Sequence, residues 1–453
     1  MRQTQYGAFD VSKLLLSVFV CAIHTCRGVL PVFPWTRLAV PVFFLISSFL
    51  FFSGVFGERD RSMQKRRLVK FILRSLRLYA FWFAALLPVV LVMKKYFAGG
   101  IVHGALRFFA DVLLGSTFPA SWYISALIIG CVIMYFVRGR AGSIAALLLS
   151  CAAYFICCLM SNYRGLFEGS AMEHIFVVLY PGTFYNSFPA GLVWIAVGKL
   201  LAAKRCGAGL RKTDVGAPTA ACGDRENANE SGGGPAAEQH AATNKANAEN
   251  NNLICSESPV ERDMTKNKAF AECGDSECGA AADTASSAEC GTAAKAERGE
   301  DITDSSAKSS HAAVLSKLCG RGIVARRTVF AVFAVLSMGL LYIEYFIIDH
   351  IGCSVDNDCY FALLPLCIFT FLFLETFRGG VRGGAVMRKM STVIYCMHAS
   401  VAAVLLMAFG GRFDSVGGAT CLFFVSLFVS AATAVLIMRL EKTQPFKWLR
   451  YAF

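Results

Sequence analysis

Three groups of side chains in this 453-residue chain have the types and spacing for chemistry. The first is Lys13 with His24. On a helix, eleven positions at about 100° each fall within about 20° of three full turns, so ammonium and imidazole share one face, roughly 16 Å apart along the axis. An imidazole so placed suits proton transfer or covalent relay. The second is Arg74 and Arg77, neighbours on a helix face, whose guanidiniums match the oxygens of a phosphate-rich ligand. The third is Ser391, Tyr395 and His398, spaced four and three along one side of a helix. Each has a plainer reading: a histidine bonded between helices, arginines that only mark a membrane side, polar side chains that join helices. Glu344, near the end of an apolar run, is either a partner for a cation or a group reaching the interface.

The elements that must position these groups are helices in lipid. The chain is 56% hydrophobic before its 39 glycines are counted, against roughly 45–50% with glycine included in soluble domains. Ten apolar runs have about the length needed to cross a bilayer: 9–30, 37–56, 71–93, 119–137, 142–160, 182–203, 326–348, 360–377, 390–410 and 419–438. The expected fold class is an all-α integral membrane protein of about ten transmembrane helices. The first run is too long for a signal-peptide core and is read as a retained span. With Lys13 at the membrane edge, His24 falls near mid-bilayer; Arg27, one turn on, makes it shallower or thins the bilayer locally.

Charge is distributed as topology requires. Residues 205–313 hold 11 basic and 18 acidic side chains, so the rest of the chain carries 33 basic and 13 acidic. That surplus sits between the apolar runs, which excludes nucleic acid as the partner. Alternate loops are the more basic ones, from Arg59–Arg77 to Arg439–Arg450, with Lys94 and Lys95 the main exception. The positive-inside rule then places both termini and the long insert in the cytoplasm.

The expected organisation is a membrane domain over 1–204, a disordered cytoplasmic insert over 205–313, and a second membrane part over 314–453. The insert is rich in Ala, Gly, Asn, Ser and Glu with Phe270 its only aromatic residue, too little apolar surface to offset the entropy of ordering. Its Glu-Cys-Gly repeats at Cys273, Cys278 and Cys290 lack paired metal-ligand spacing, so no metal site is expected. Most of the 18 cysteines read as apolar filler. Cys353 and Cys359 flank an expected outer loop where oxidation is open to them, and spacing does not decide whether they are bridged.

Five motifs in order make the chain resemble the membrane acyltransferase 3 family, multi-pass enzymes that O-acylate cell-envelope sugars and related acceptors. Lys13 and His24 match the family's basic residue, ten intervening residues and histidine, with Asp10 in its usual place. The run Arg37 to Ser47 is similar to the second-span signature, and Arg74 with Arg77 to the Arg-x-x-Arg pair of the third span. Trp122-Tyr123 resembles the fourth-span motif, and Ser391, Tyr395 and His398 the late Ser-Tyr-His pattern. Ser48 replaces the usual glycine after the second-span serine, and Lys13 stands where many members have arginine.

The resemblance implies transfer of an acyl group, expected to be acetyl, from acyl-CoA to a hydroxyl of an envelope glycan or glycolipid at the plasma membrane. Acyl-CoA is a co-substrate in this reading; no bound cofactor and no metal are implied. Lys13, Arg74 and Arg77 would bind the donor, and a neutral His24 would act as general base on the acceptor hydroxyl or relay the acyl group. Asp10, Trp122, Tyr123, Glu344, Ser391, Tyr395 and His398 are the expected acceptor or supporting residues. The alternative is a transporter or flippase of a small polar metabolite or lipid-linked sugar, since intramembrane histidines and arginines also line transport paths. A third reading is a sensory module similar to the one fused to some serine racemases.

Overall fold

A computed structural model of the chain describes residues 6–26, 33–96, 100–114, 117–118, 120–179, 184–214, 303–354 and 357–453. Arg27 and the cysteine repeats of the insert lie outside them. Helices follow one another throughout: α1 (Gly7–Thr25), α2 (Phe33–Thr36), α3 (Ala39–Phe56), α4 (Arg61–Lys94), α5 (Ile101–Leu114), α6 (Ser121–Phe136), α7 (Gly139–Ser161), α8 (Ala171–Leu179), α9 (Phe188–Asp214), α10 (Thr303–Ile351), α11 (Leu363–Glu375), α12 (Gly384–Phe409) and α13 (Val416–Leu440). No strand is present among the described residues; one bridge joins Tyr6 to Gly379.

Each of the ten expected apolar runs falls on a helix. Seven helical stretches are long and apolar enough to cross a membrane: Gly7–Thr25, Pro34–Phe56, Arg61–Lys94, Gly139–Ser161, Gly322–Ile351, Gly384–Phe413 and Val416–Leu440. The runs at 119–137 and 360–377 form the shorter apolar helices Ser121–Phe136 and Leu363–Glu375. The run at 182–203 becomes α9, whose 27 residues include Lys199, Lys204 and Arg205. This is a multi-pass membrane protein by length and composition. Leu148, Leu149, Val335, Leu336 and Phe428 present their apolar side chains outward, as lipid rather than water would demand. Helix α9 runs to Asp214 and α10 begins at Thr303, so both reach into the stretch expected as insert. Helices α5 and α8 lie where only loops were expected.

Close helix approach positions the interior. Helix α9 lies against α3, α6 and α7, while α1 lies against α12, α13 and α3. Apolar surface drives little association inside lipid, so small residues and hydrogen bonds decide contacts. A Cβ on Gly198 of α9 would stand 3.1 Å from the Leu45 carbonyl oxygen and collide with the Ser48 hydroxyl; one on Gly191 would stand 2.9 Å from the Phe44 ring. Ser48, in the place of the signature's glycine, turns its hydroxyl to the Phe44 carbonyl at 2.7 Å, and Gly198, with no Cβ, leaves the room that this serine needs.

Polar groups join the remaining elements. Glu344 of α10 accepts from the backbone N–H of Phe361 and Ala362, both at 2.8 Å, at the start of α11, and from the Tyr163 hydroxyl at 2.8 Å. A carboxylate there satisfies donors that no helical turn can reach and faces the positive end of the helix dipole. Lys199 donates to the Met134 and Val137 carbonyls, each at 2.7 Å, at the C-terminal end of α6.

Candidate active site

Lys13 and His24 sit on α1 as helical geometry requires, and each lines a different cavity. The first, of about 380 Å³, is bounded by Lys13, Arg74 and Arg388, with Phe43, Tyr123, Ser391 and Tyr395 among its walls. Arg388 of α12 is ion-paired with Asp10 of α1, so the aspartate balances one of three cations around the mouth. Ser391 donates to the Lys13 carbonyl at 2.8 Å, which ties α12 to α1 beside the ammonium. The serine expected as an acceptor or supporting group therefore supports the Lys13 end.

Arg74 also belongs to a shallow groove of about 690 Å³ along α4, shared with Lys65, Arg66, Lys70 and Arg77. Spacings of four, four and three put Arg66, Lys70, Arg74 and Arg77 along one helix face. Arg77 lines the groove and not the cavity, its guanidinium 6.0 Å from the Tyr451 ring centre. The anticipated arginine pair is thus divided: one member at the junction, the other along the approach.

The second cavity, of about 460 Å³, is lined by His24, Arg37, Lys94, Trp122, Asn186, Asp358, Tyr395 and His398, among others. The imidazole rings of His24 and His398 lie 5.1 Å apart between centres. His398 is fully buried, and its Nδ1 is 2.8 Å from the Ile394 carbonyl oxygen. A carbonyl only accepts, so Nδ1 carries the proton and Nε2 keeps its lone pair. That Nε2 is buried and has no hydrogen-bond partner among the described residues. A lone pair in this condition takes a donor from water or from a ligand in the cavity.

Arg37 and Asp358 form a buried ion pair, their side chains 9% and 14% exposed, and Asn186 donates to Asp358 at 3.3 Å. Guanidinium, carboxylate and carboxamide stand beside the Trp122 indole on one wall. Asp358 and Asn186 were not expected as site residues, and Arg37 was quoted only within a motif. Arg388 is likewise outside the expected site residues. A wall assembled from the turn between α2 and α3, the stretch before α9 and the loop before α11 has no local signature.

Tyr123 donates to the Phe43 carbonyl at 3.3 Å and shares a hydrogen bond with Ser47 at 3.0 Å, so it faces the Lys13 cavity, while Trp122 faces the histidine cavity. Glu344 lines neither and acts at the start of α11. Cys353 and Cys359 both carry free thiols. Burial pushes both upward from the usual thiol range, and the Cys353 sulfur points to the Asn162 carbonyl at 3.4 Å. Among the described residues no group of His, Cys, Asp and Glu is arranged to hold a metal ion.

Long apolar helices around two cavities with cationic and imidazole walls define a multi-pass membrane protein with a polar interior. Residues 6–205 match the family model described as an acyltransferase domain, and this stretch is a domain of the membrane acyltransferase 3 family. The chain thus carries a membrane acyltransferase domain. The matched stretch holds Asp10, Lys13, His24, Arg37, Arg74, Arg77, Trp122 and Tyr123; Ser391, Tyr395 and His398 come from beyond it and complete both cavities. No curated protein and no solved structure matches the chain.

Proposed function

We propose that the protein transfers an acetyl group from acetyl-CoA to a hydroxyl of an envelope glycan or glycolipid, with the donor on the cytoplasmic side and the acceptor on the opposite side. The observation that carries this reading is the pair of cavities meeting at Tyr395, one with a cationic mouth and the other holding two imidazoles. The basic groove of α4 would receive the phosphates of CoA, because guanidinium and ammonium donors pair with phosphate oxygens at little cost near a membrane surface. Lys13, Arg74 and Arg388 would then guide the thioester arm inward.

In the histidine cavity His24 would take the proton of the acceptor hydroxyl, as a general base, while the lone pair of His398 holds a neighbouring donor of the acceptor in place. The new bond is between the hydroxyl oxygen and the acyl carbon; the bond broken is carbon to sulfur, and the CoA thiolate leaves and takes up a proton. Arg37, Asp358 and Asn186 supply both donors and acceptors to a polyhydroxylated acceptor, and Trp122 offers it an apolar face.

Membranes containing the full-length protein should release CoA thiol from acetyl-CoA and acylate an envelope glycan detectable by mass spectrometry. His24→Ala and Arg74→Ala, inserted normally, should lose this product. Full activity in either variant rejects the assignment, and substrate movement without CoA release would favour a transporter.

A further inference from the structure

The two cavities share one side chain among the described residues: Tyr395 lines both. It stands within a collar of rings from three helices. Phe43 of α3 lies 5.6 Å from its ring centre, Tyr123 of α6 lies 5.3 Å away, and His398, one turn further along α12, lies 6.3 Å away on the histidine side. Phe43 is buried, and Tyr123 is fastened to α3 through Ser47 and the Phe43 carbonyl. The partition is therefore anchored on at least two of its sides.

An acyl thioester advancing from the Lys13 cavity travels tail first, since the hydrocarbon lies beyond the carbonyl as seen from sulfur. For its carbonyl carbon to reach a hydroxyl held at His24, everything beyond the carbonyl must pass the collar and lodge ahead of it. A methyl group needs little room there. Each further methylene competes with packed rings and with the acceptor in the same 460 Å³, and close-packed walls yield only at a cost.

We infer that Tyr395, with Phe43 and Tyr123, sets the length of acyl group the enzyme transfers, by leaving room at the collar for only a short chain. This rests on the acyl-CoA reading above. Tyr395 acts here by bulk, as a specificity-determining residue, and its hydroxyl is not required for the selection.

Membranes carrying the full-length protein are given acetyl-, butyryl- or hexanoyl-CoA, CoA thiol release is measured, and the rate from His24→Ala membranes is subtracted. A single excluded methylene is worth roughly tenfold or more, so wild type should use hexanoyl-CoA at least about a hundredfold less well than acetyl-CoA. Tyr395→Leu should raise the hexanoyl-to-acetyl ratio about tenfold or more, and Phe43→Leu, on another helix, should raise it independently. Tyr395→Phe should keep the wild-type ratio. An unchanged ratio in both leucine variants, with His24-dependent acetyl release still present, overturns the inference, as does a shift in Tyr395→Phe equal to that in Tyr395→Leu. Wild-type membranes that release no thiol from any of the three donors overturn the acyltransfer reading itself, a separate result.

Discussion

Removing the Asp358 carboxylate takes away the negative charge that faces the Arg37 guanidinium, which is 9% exposed. Breaking a buried pair on one side typically costs about 3–5 kcal/mol. Asp358 is itself 14% exposed and both residues line a cavity of about 460 Å³ that admits water, so the lower end, about 3 kcal/mol, is expected. In domains of 150–250 residues about 1 kcal/mol moves Tm by roughly 2–4 °C, and by less in longer chains, so Asp358→Leu should lower Tm by several degrees. The protein carries its own reporter: Cys21, Cys131, Cys157, Cys158, Cys367 and Cys396 are buried free thiols, and a thiol-reactive dye reads their exposure on heating. Arg37→Met should cost a similar amount. The double variant Arg37→Met with Asp358→Leu buries neither charge and should recover at least half of what either single variant loses. Strict additivity of the two single losses would refute the pairing as the source of the effect.

Other outcomes follow from the same geometry. Gly198→Val should prevent α9 from closing on α3 and abolish stable insertion, read as loss of the monodisperse peak in detergent, whereas Gly207→Ala, where a Cβ meets nothing within 4 Å, should leave that peak intact. Glu344→Gln should cost about 1–2 kcal/mol by weakening the charged acceptor at the start of α11, measured by the same thiol-dye melt. Cys353 and Cys359 should show no bridge in peptide mapping without reductant. Because burial raises both thiols, alkylation of the folded protein should be slow at pH 7 and quicken as pH rises. Deleting residues 219–301 should leave acetyl-CoA consumption unchanged, measured as thiol release; an inserted but inactive deletion would show that the segment takes part.

What the amino-acid order determined unaided is what depends on near neighbours. The ten apolar runs lie on helices because hydrophobic length and backbone hydrogen bonding in lipid are properties of a single segment. Lys13 and His24 share a face of α1 by helical pitch, and the same local rule aligns Ser391, Tyr395 and His398 on α12. Helices α5 and α8, at 14 and 9 residues, are too short to read as spans, and α9 and α10 run past their apolar stretches because hydropathy marks the membrane edge and not the end of a helix.

Only tertiary packing decided which of these groups meet. Asp10 finds Arg388 and Ser391 finds the Lys13 carbonyl because α12 lies along α1. Arg37 finds Asp358 because the turn between α2 and α3 and the loop before α11 close the same end of the second cavity. Tyr395 becomes a wall common to both chambers for the same reason: cavities are spaces between helices, and their shapes depend on crossing angles and small-residue contacts such as Gly198 against Ser48. Those contacts join residues far apart in the chain, whose pairing no local periodicity encodes.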